Sequence, residues 1–115
     1  MLYPLKRKEI LRKNNDLKNL FSNGNKITGK YVIIYFNRGN RKKIAFIVSK
    51  KLDKRAVIRN RIKRWLREIY RLEKYKIVND VEILMVARHS ILNIEYALLK
   101  DEIEKLFKNI NYITD

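Results

Sequence analysis

The sequence predicts an α/β protein of the two-layer α+β sandwich kind, with elements in the order αβββαβα. Three observations carry this. The runs "KYVIIYFN", "KIAFIVSK" and "DVEILMVAR" are β-branched and aromatic and of strand length. The stretches "AVIRNRIKRWLREIYR" and "NIEYALLKDEIEKLFKNI" place apolar residues at one-face helical spacing. The chain has 115 residues, 46% of them hydrophobic, and no repeat or low-complexity tract. A chain of this length removes roughly two-thirds of its unfolded surface from water, so residues 1–115 read as one domain with a core of its own.

Taken in order, Pro4 is the only proline and places the first few residues outside any regular element. In "NNDLKNLFSNG" an Asn or Asp caps a short helix that carries Leu17, Leu20 and Phe21 on one face, and Gly24 stops it. "GNKITG" gives the weakest strand signal, a short edge strand. Tyr31 to Asn37 and Lys43 to Lys50 read as strands joined by "RGNR", whose Gly39-Asn40 pair signals a hairpin, so the two are expected to pair antiparallel. "DVEILMVAR" is a further strand. The closing helix is expected to bury Leu98, Leu99, Ile103, Leu106 and Phe107, and to leave Asp101, Glu102 and Glu104 outside for salt pairing.

Charge narrows the partner. Twenty-eight Lys and Arg against 12 Asp and Glu give a formal net charge of +16, a self-repulsion that a polyanion relieves. The absence of cysteine excludes a disulfide framework and thiolate chemistry. No apolar run approaches the ~20 residues of a membrane span. The start, "MLYPLKRKEILRKNN", is charged where a signal peptide needs an apolar stretch. The expectation is a soluble cytoplasmic protein with nucleic acid, ahead of an anionic membrane surface, as partner.

The basic stretch can be tested by helical geometry, with each residue advancing about 100°. With Arg59 at zero, Lys63, Arg67, Asn60, Arg71 and Arg64 fall within an arc of roughly 140°, whereas Leu72, Trp65, Ile58, Ile69, Ile62 and Leu66 fill the arc from roughly 220° to 340°. The apolar arc belongs on the sheet, which leaves the basic arc as an outward ridge. A merely solvated face would intersperse both signs, since like charges at i,i+4 cost about a few tenths of a kcal/mol each. Here Arg59, Lys63, Arg67 and Arg71 form an unbroken like-charge ladder. Arginine dominates it, and its planar fork suits phosphate oxygens or a base edge. Glu68 stands where it can pair with Arg64 or Arg71.

"FIVSKKLDKRAVIRNRIKRWLREIYR" resembles the signature of the bacterial ribonuclease P protein family, on Val48-Ser49-Lys50-Lys51, Ala56-Val57, Arg59-Asn60, Lys63-Arg64 and Arg67-Glu68. The likeness extends over nearly the whole chain, through the leading basic segment, the short helix ending in Phe and Gly, "VARHS" and the closing helix. It implies a ribosomal-protein-S5-domain-2-like fold with a left-handed βαβ crossover, against the usual right-handed preference. It implies a protein that is monomeric when free and that assists a catalytic RNA in removing the 5′ leader of precursor tRNA, the RNA making the cut. By the same resemblance Arg59, Asn60, Lys63, Arg64 and Arg67 contact the catalytic RNA, with the basic residues Lys50, Lys51, Arg55 and Arg71 of the same stretch expected to join them, and magnesium in the holoenzyme is expected to be held mainly by RNA phosphates.

A cleft between the first helix and the sheet resembles that family's groove for the single-stranded leader. Leu17, Phe21, Tyr31, Ile33 and Tyr35 are its candidate lining, Leu17 standing where the family commonly has an aromatic residue. Tyr31, Ile33 and Tyr35 alternate onto one strand face, and aromatic platforms there would stack bases for roughly 1 to 3 kcal/mol each with little sequence preference. Core packing is the competing use of Phe21, Tyr31 and Tyr35, and a register slip by one would exchange the tyrosines for Val32, Ile34 and Phe36.

Intrinsic catalysis has little material. His89, the only histidine, has no cysteine or carboxylate pair beside it in sequence, and Gly24, Gly29 and Gly39 are too dispersed for a phosphate loop. Three rival classes fit less well. A structural RNA-binding protein of the ribosome leaves the Arg-Asn pattern without a reason. A helix-turn-helix DNA binder would need a partner helix just before the basic one. A cationic membrane-surface helix would need the apolar arc that the core takes.

Overall fold

Period-two alternation organises the sheet. In β2 (Val32–Arg38) Val32, Ile34 and Phe36 are buried while Ile33, Tyr35 and Asn37 are half-buried on the opposite face. The computed structural model describes residues 9–11, 14–39, 42–77 and 80–114. Within them β2 joins β1 (Asn25–Thr28), β3 (Lys43–Ile47) and β4 (Val81–Ala87) in one sheet of order β1-β2-β4-β3. Helices α1 (Asn14–Asn23), α2 (Ala56–Glu73) and α3 (Tyr96–Thr114) complete the αβββαβα order, with short 3₁₀ turns at Lys74–Lys76 and His89–Asn93. Pro4 and the basic residues around it lie outside the described residues.

The expected hairpin does not form. β4 lies between β2 and β3, antiparallel to β2 and parallel to β3, so that Leu84 faces Tyr35 on one side and Ala45 on the other. Two features favour this order over the local turn. Ile83, Leu84 and Met85 are fully buried in succession, the mark of a strand covered on both faces, which belongs at the centre of a sheet. The chain leaving β2 is tied to the start of β4, where the Gly39 N–H donates to the Asp80 carbonyl at 2.7 Å and Arg38 pairs with Asp80 at 3.2 Å. Asn40 of the turn signal lies outside the described residues. β2 is displaced by one residue, running from Val32 to Arg38 rather than from Tyr31 to Asn37, and β3 is shorter than expected, ending at Ile47 rather than Lys50. β3, α2 and β4 form the βαβ crossover, and the expected "GNKITG" strand is β1.

The two faces of the sheet are covered unequally. Val32, Ile34, Phe36, Ile44, Ile83 and Met85 pack beneath Ile62, Leu66, Ile69 and Tyr70 of α2 and Leu99, Ile103, Leu106 and Phe107 of α3. Leu98, expected in that stripe, is 52% exposed. Leu99, Ile103, Leu106 and Phe107 are buried as expected. On the other face a smaller cluster joins Leu11, Leu20, Ala45 and Leu84, with Leu17, Tyr35, Ile47 and Val86 half-buried around it. One short helix is too small to cover that face, and a cleft remains.

Helix α1 opens at Asn14 with Asp16 in its first turn, and the capping position before Asn14 lies outside the described residues. At its end the Gly24 N–H reaches the Leu20 carbonyl at 3.1 Å. A Cβ on Gly24 would stand 2.6 Å from that carbonyl oxygen, so close approach of backbone requires glycine there.

Candidate nucleic-acid interface

The segment before α2 organises the basic helix. The Asp53 carboxylate accepts the Arg55 backbone N–H at 2.9 Å and the Arg55 guanidinium at 3.1 and 2.9 Å. The side-chain hydrogen bond from Arg55, then the backbone one, hold the Asp53 carboxyl at about 2, below its usual 3.8. Arg59 turns back to donate to the Asp53 and Lys54 carbonyls at 3.0 and 2.7 Å. Arg59 is therefore half-buried and shared between the loop and the outward face, whereas Lys50, Lys51 and Arg55 are exposed beside it.

Further along α2 most of the two arcs separate as the spacing implies. Ile62, Leu66 and Ile69 are buried, and Ile58, Trp65 and Leu72 are half-buried at the margin. Tyr70 departs from the projection: it falls at about 20°, between Arg59 and Lys63, yet is buried, so the inward face extends past the apolar arc into the start of the basic one. Asn60, Lys63, Arg64 and Arg67 are exposed together on the opposite side. Glu68 pairs with Arg71, the second of its two expected partners, and Arg71 is half-buried. The ridge that faces solvent thus centres on Asn60 to Arg67. Arg61, outside both arcs of the helical projection, lies 5.3 Å from the Trp65 ring centroid.

On the other sheet face Phe21 and Tyr35 bring their rings to 4.8 Å between centroids at 58°. Phe21 is 44% exposed, and the Lys26 ammonium lies 5.8 Å from the Tyr35 ring centroid. Ile33 shares the Tyr35 face by alternation. Tyr31 does not join this group: it precedes β2, packs against the larger core and carries the Lys30 ammonium 5.5 Å from its ring centroid. Leu17 lines a cavity of about 200 Å³ with Ile10, Leu11, Ala45, Phe46 and Ile47, and Lys63 and Arg67 of α2 complete its wall. The cationic ridge therefore reaches the Leu17 end of the α1 cleft at Lys63 and Arg67, a junction that no local pattern in the sequence announces.

Three residues bear on chemistry or support. His89 is exposed at the start of a 3₁₀ turn. Among the described residues no group of three or more His, Asp or Glu side chains is placed to hold a metal ion. Asp101 pairs with Lys105 at 3.1 Å and Glu104 stands 4.0 Å from Lys100, the expected surface pairing. Glu102 departs from it. Its carboxylate accepts the backbone N–H groups of Lys30, Tyr31 at 2.8 Å and Val32 at 3.3 Å, fastening α3 to the start of β2.

Fold and site define a small, strongly basic two-layer domain with a cationic helix face running into an aromatic-edged cleft. The chain matches the family described as Ribonuclease P over residues 5–111, and it belongs to that family. It is 37% identical over 109 residues to the ribonuclease P protein component of Fusobacterium nucleatum, covering 90% of this chain and 97% of the relative. To that of Alkaliphilus oremlandii it is 37% identical over 105 residues, covering 90% and 91%. The ribonuclease P protein from Thermotoga maritima superposes with a TM-score of 0.80 at 25% identity, covering 89% of this chain and 97% of that one.

Proposed function

We propose that this chain is the protein subunit of a ribonuclease P holoenzyme, which binds the catalytic RNA through the outward face of α2 and the single-stranded 5′ leader of precursor tRNA through the α1 cleft. The observation that carries the reading is the junction at Lys63 and Arg67, where one pair of cations serves both surfaces. A strand leaving the RNA-bound ridge would pass these two cations before reaching the apolar wall of Leu17, Ala45 and Ile47.

On this reading the protein supplies binding and charge neutralisation, and the RNA supplies the cleavage chemistry. Lys50, Lys51 and Arg55 extend the RNA contact from the loop, Asn60, Lys63, Arg64 and Arg67 form its centre, and Arg59 and Arg71 support it from half-buried positions. Phe21 and Tyr35 offer base platforms for the leader, with Leu17 and Ile33 as apolar contacts. Tyr31, packed against the larger core, is not one of these platforms. Magnesium in the holoenzyme is held mainly by RNA phosphates. The working place is the cytoplasm, the free protein is a monomer, and no membrane is engaged; no helix among the described residues is long and apolar enough to cross one.

The test is a comparison of holoenzyme affinity for precursor tRNA with and without its leader. The expected result is tighter binding of the leader-bearing form only when the protein is present. Equal affinities for both forms would remove the leader from the reading.

A further inference from the structure

We infer that the groove between α2 and α3 is an additional RNA-contact site, taking one unpaired nucleotide of the catalytic RNA, with its base against Trp65 and Tyr96 and its phosphates between Arg64 and Lys100. The inference rests on the proposed RNA-binding role of α2 and extends it to a different face. The groove lies on the helical layer, whereas the leader cleft lies across the sheet from it.

The groove has about 500 Å³ and is lined by Arg64, Trp65, Glu68, Leu72, Tyr96 and Lys100. Trp65 and Tyr96 meet edge-to-face, centroids 5.6 Å apart at 73°, so two aromatic surfaces form a corner. Both rings are half-buried, fixed by the core yet open on one side. Arg61 lies 5.3 Å from the Trp65 ring centroid and is not part of the groove lining.

The charges select an anion. Glu68, the one acid in the lining, is already paired with Arg71. Lys100 is held by Glu104 only at 4.0 Å, and Arg64 is exposed. Two cations flanking an aromatic corner suit a nucleotide, whose base stacks while its phosphates take charge-assisted hydrogen bonds. Arg64 also belongs to the Asn60 to Arg67 ridge, so the RNA bound there is the strand that continues into the groove.

Trp65 is the only tryptophan in the chain, so its emission reports directly on this groove. The experiment titrates the full-length protein with a bacterial ribonuclease P RNA and follows that emission together with binding. The expected result is a saturable emission change that tracks binding. Tyr96→Ala should weaken affinity roughly 5- to 150-fold. Lys100→Ala, a surface change that spares the core, should lower the salt slope by about 0.7 to 0.9. If the RNA binds, loses affinity with Arg67→Ala, and yet leaves both the emission and the Lys100→Ala slope unchanged, the groove is no RNA site while the role of the ridge stands. An emission change produced by precursor tRNA but not by the catalytic RNA overturns the choice of occupant. If no RNA binds, the proposed function and this inference fall together.

Discussion

The carboxylate of Glu102 on α3 accepts the backbone N–H of Tyr31, 71 positions earlier in the chain, at 2.8 Å. The same carboxylate takes the N–H groups of Lys30 and Val32, so one acid satisfies the donors at the entry to β2. Loss of a charged acceptor from part-buried donors costs about 2 to 3 kcal/mol. Glu102→Ala should lower the thermal midpoint by roughly 10 °C for a domain of this size, with Glu102→Gln losing less. A Cβ on Gly29 would stand 2.9 Å from a Glu102 carboxylate oxygen and 2.8 Å from Leu106. Gly29→Ala should therefore destabilise as well, and the double variant should lose less than the two single losses added. Circular dichroism melting curves of the unaltered protein and the four variants check this.

Arg67 and Arg59 separate binding from folding. Arg67 is exposed, so Arg67→Ala should weaken catalytic-RNA binding and remove about 0.7 to 0.9 from the log-log salt slope, leaving the melting temperature unchanged. Arg59 donates to two loop carbonyls, and Arg59→Ala should move both quantities. Filter binding across a salt series beside a thermal melt distinguishes the two.

Phe21 should matter to substrate more than to stability, because its ring is half exposed against Tyr35. Phe21→Ala should weaken holoenzyme binding of leader-bearing precursor roughly 5- to 150-fold and leave mature tRNA unaffected. Equal losses on both substrates would place Phe21 outside the leader contact.

Asp53 gives a pH signature with a definite sign. Its carboxyl is held at about 2, below the ordinary 3.8, by Arg55. The ionised form is thus favoured by folding, and its contribution is fully present above about pH 4 and lost as pH falls toward 2. The urea midpoint of Asp53→Asn should lie below that of the unaltered protein by a constant amount between pH 5 and 7, and the gap should close on acidification. A gap of undiminished size at pH 2 would assign the effect to something other than this ionisation.

How much of this was legible in the sequence follows from the range of each interaction. The α2 ridge was, because the 3.6-residue period within a single helix separates Asn60, Lys63, Arg64 and Arg67 from Ile62, Leu66 and Ile69 without reference to anything else. The partnering of β3 was not. Its neighbour β4 begins more than thirty residues later, and the Gly39-Asn40 signal reports only the local turn. Glu102 reads as a surface acid on a helix because its partners are backbone groups on another element, with no side-chain pattern to mark them. The meeting of ridge and cleft at Lys63 and Arg67, and the grouping of Tyr35 but not Tyr31 with Phe21, likewise depend on how α1 and β2 sit in the assembled sheet.

The most direct measurement is cleavage of a leader-bearing precursor tRNA at low magnesium by a bacterial ribonuclease P RNA, with and without this protein. Restored cleavage that Arg67→Ala diminishes is the expected result. Binding of the RNA with no change in cleavage rate or precursor affinity would contradict the assignment and leave the ridge a general phosphate clamp.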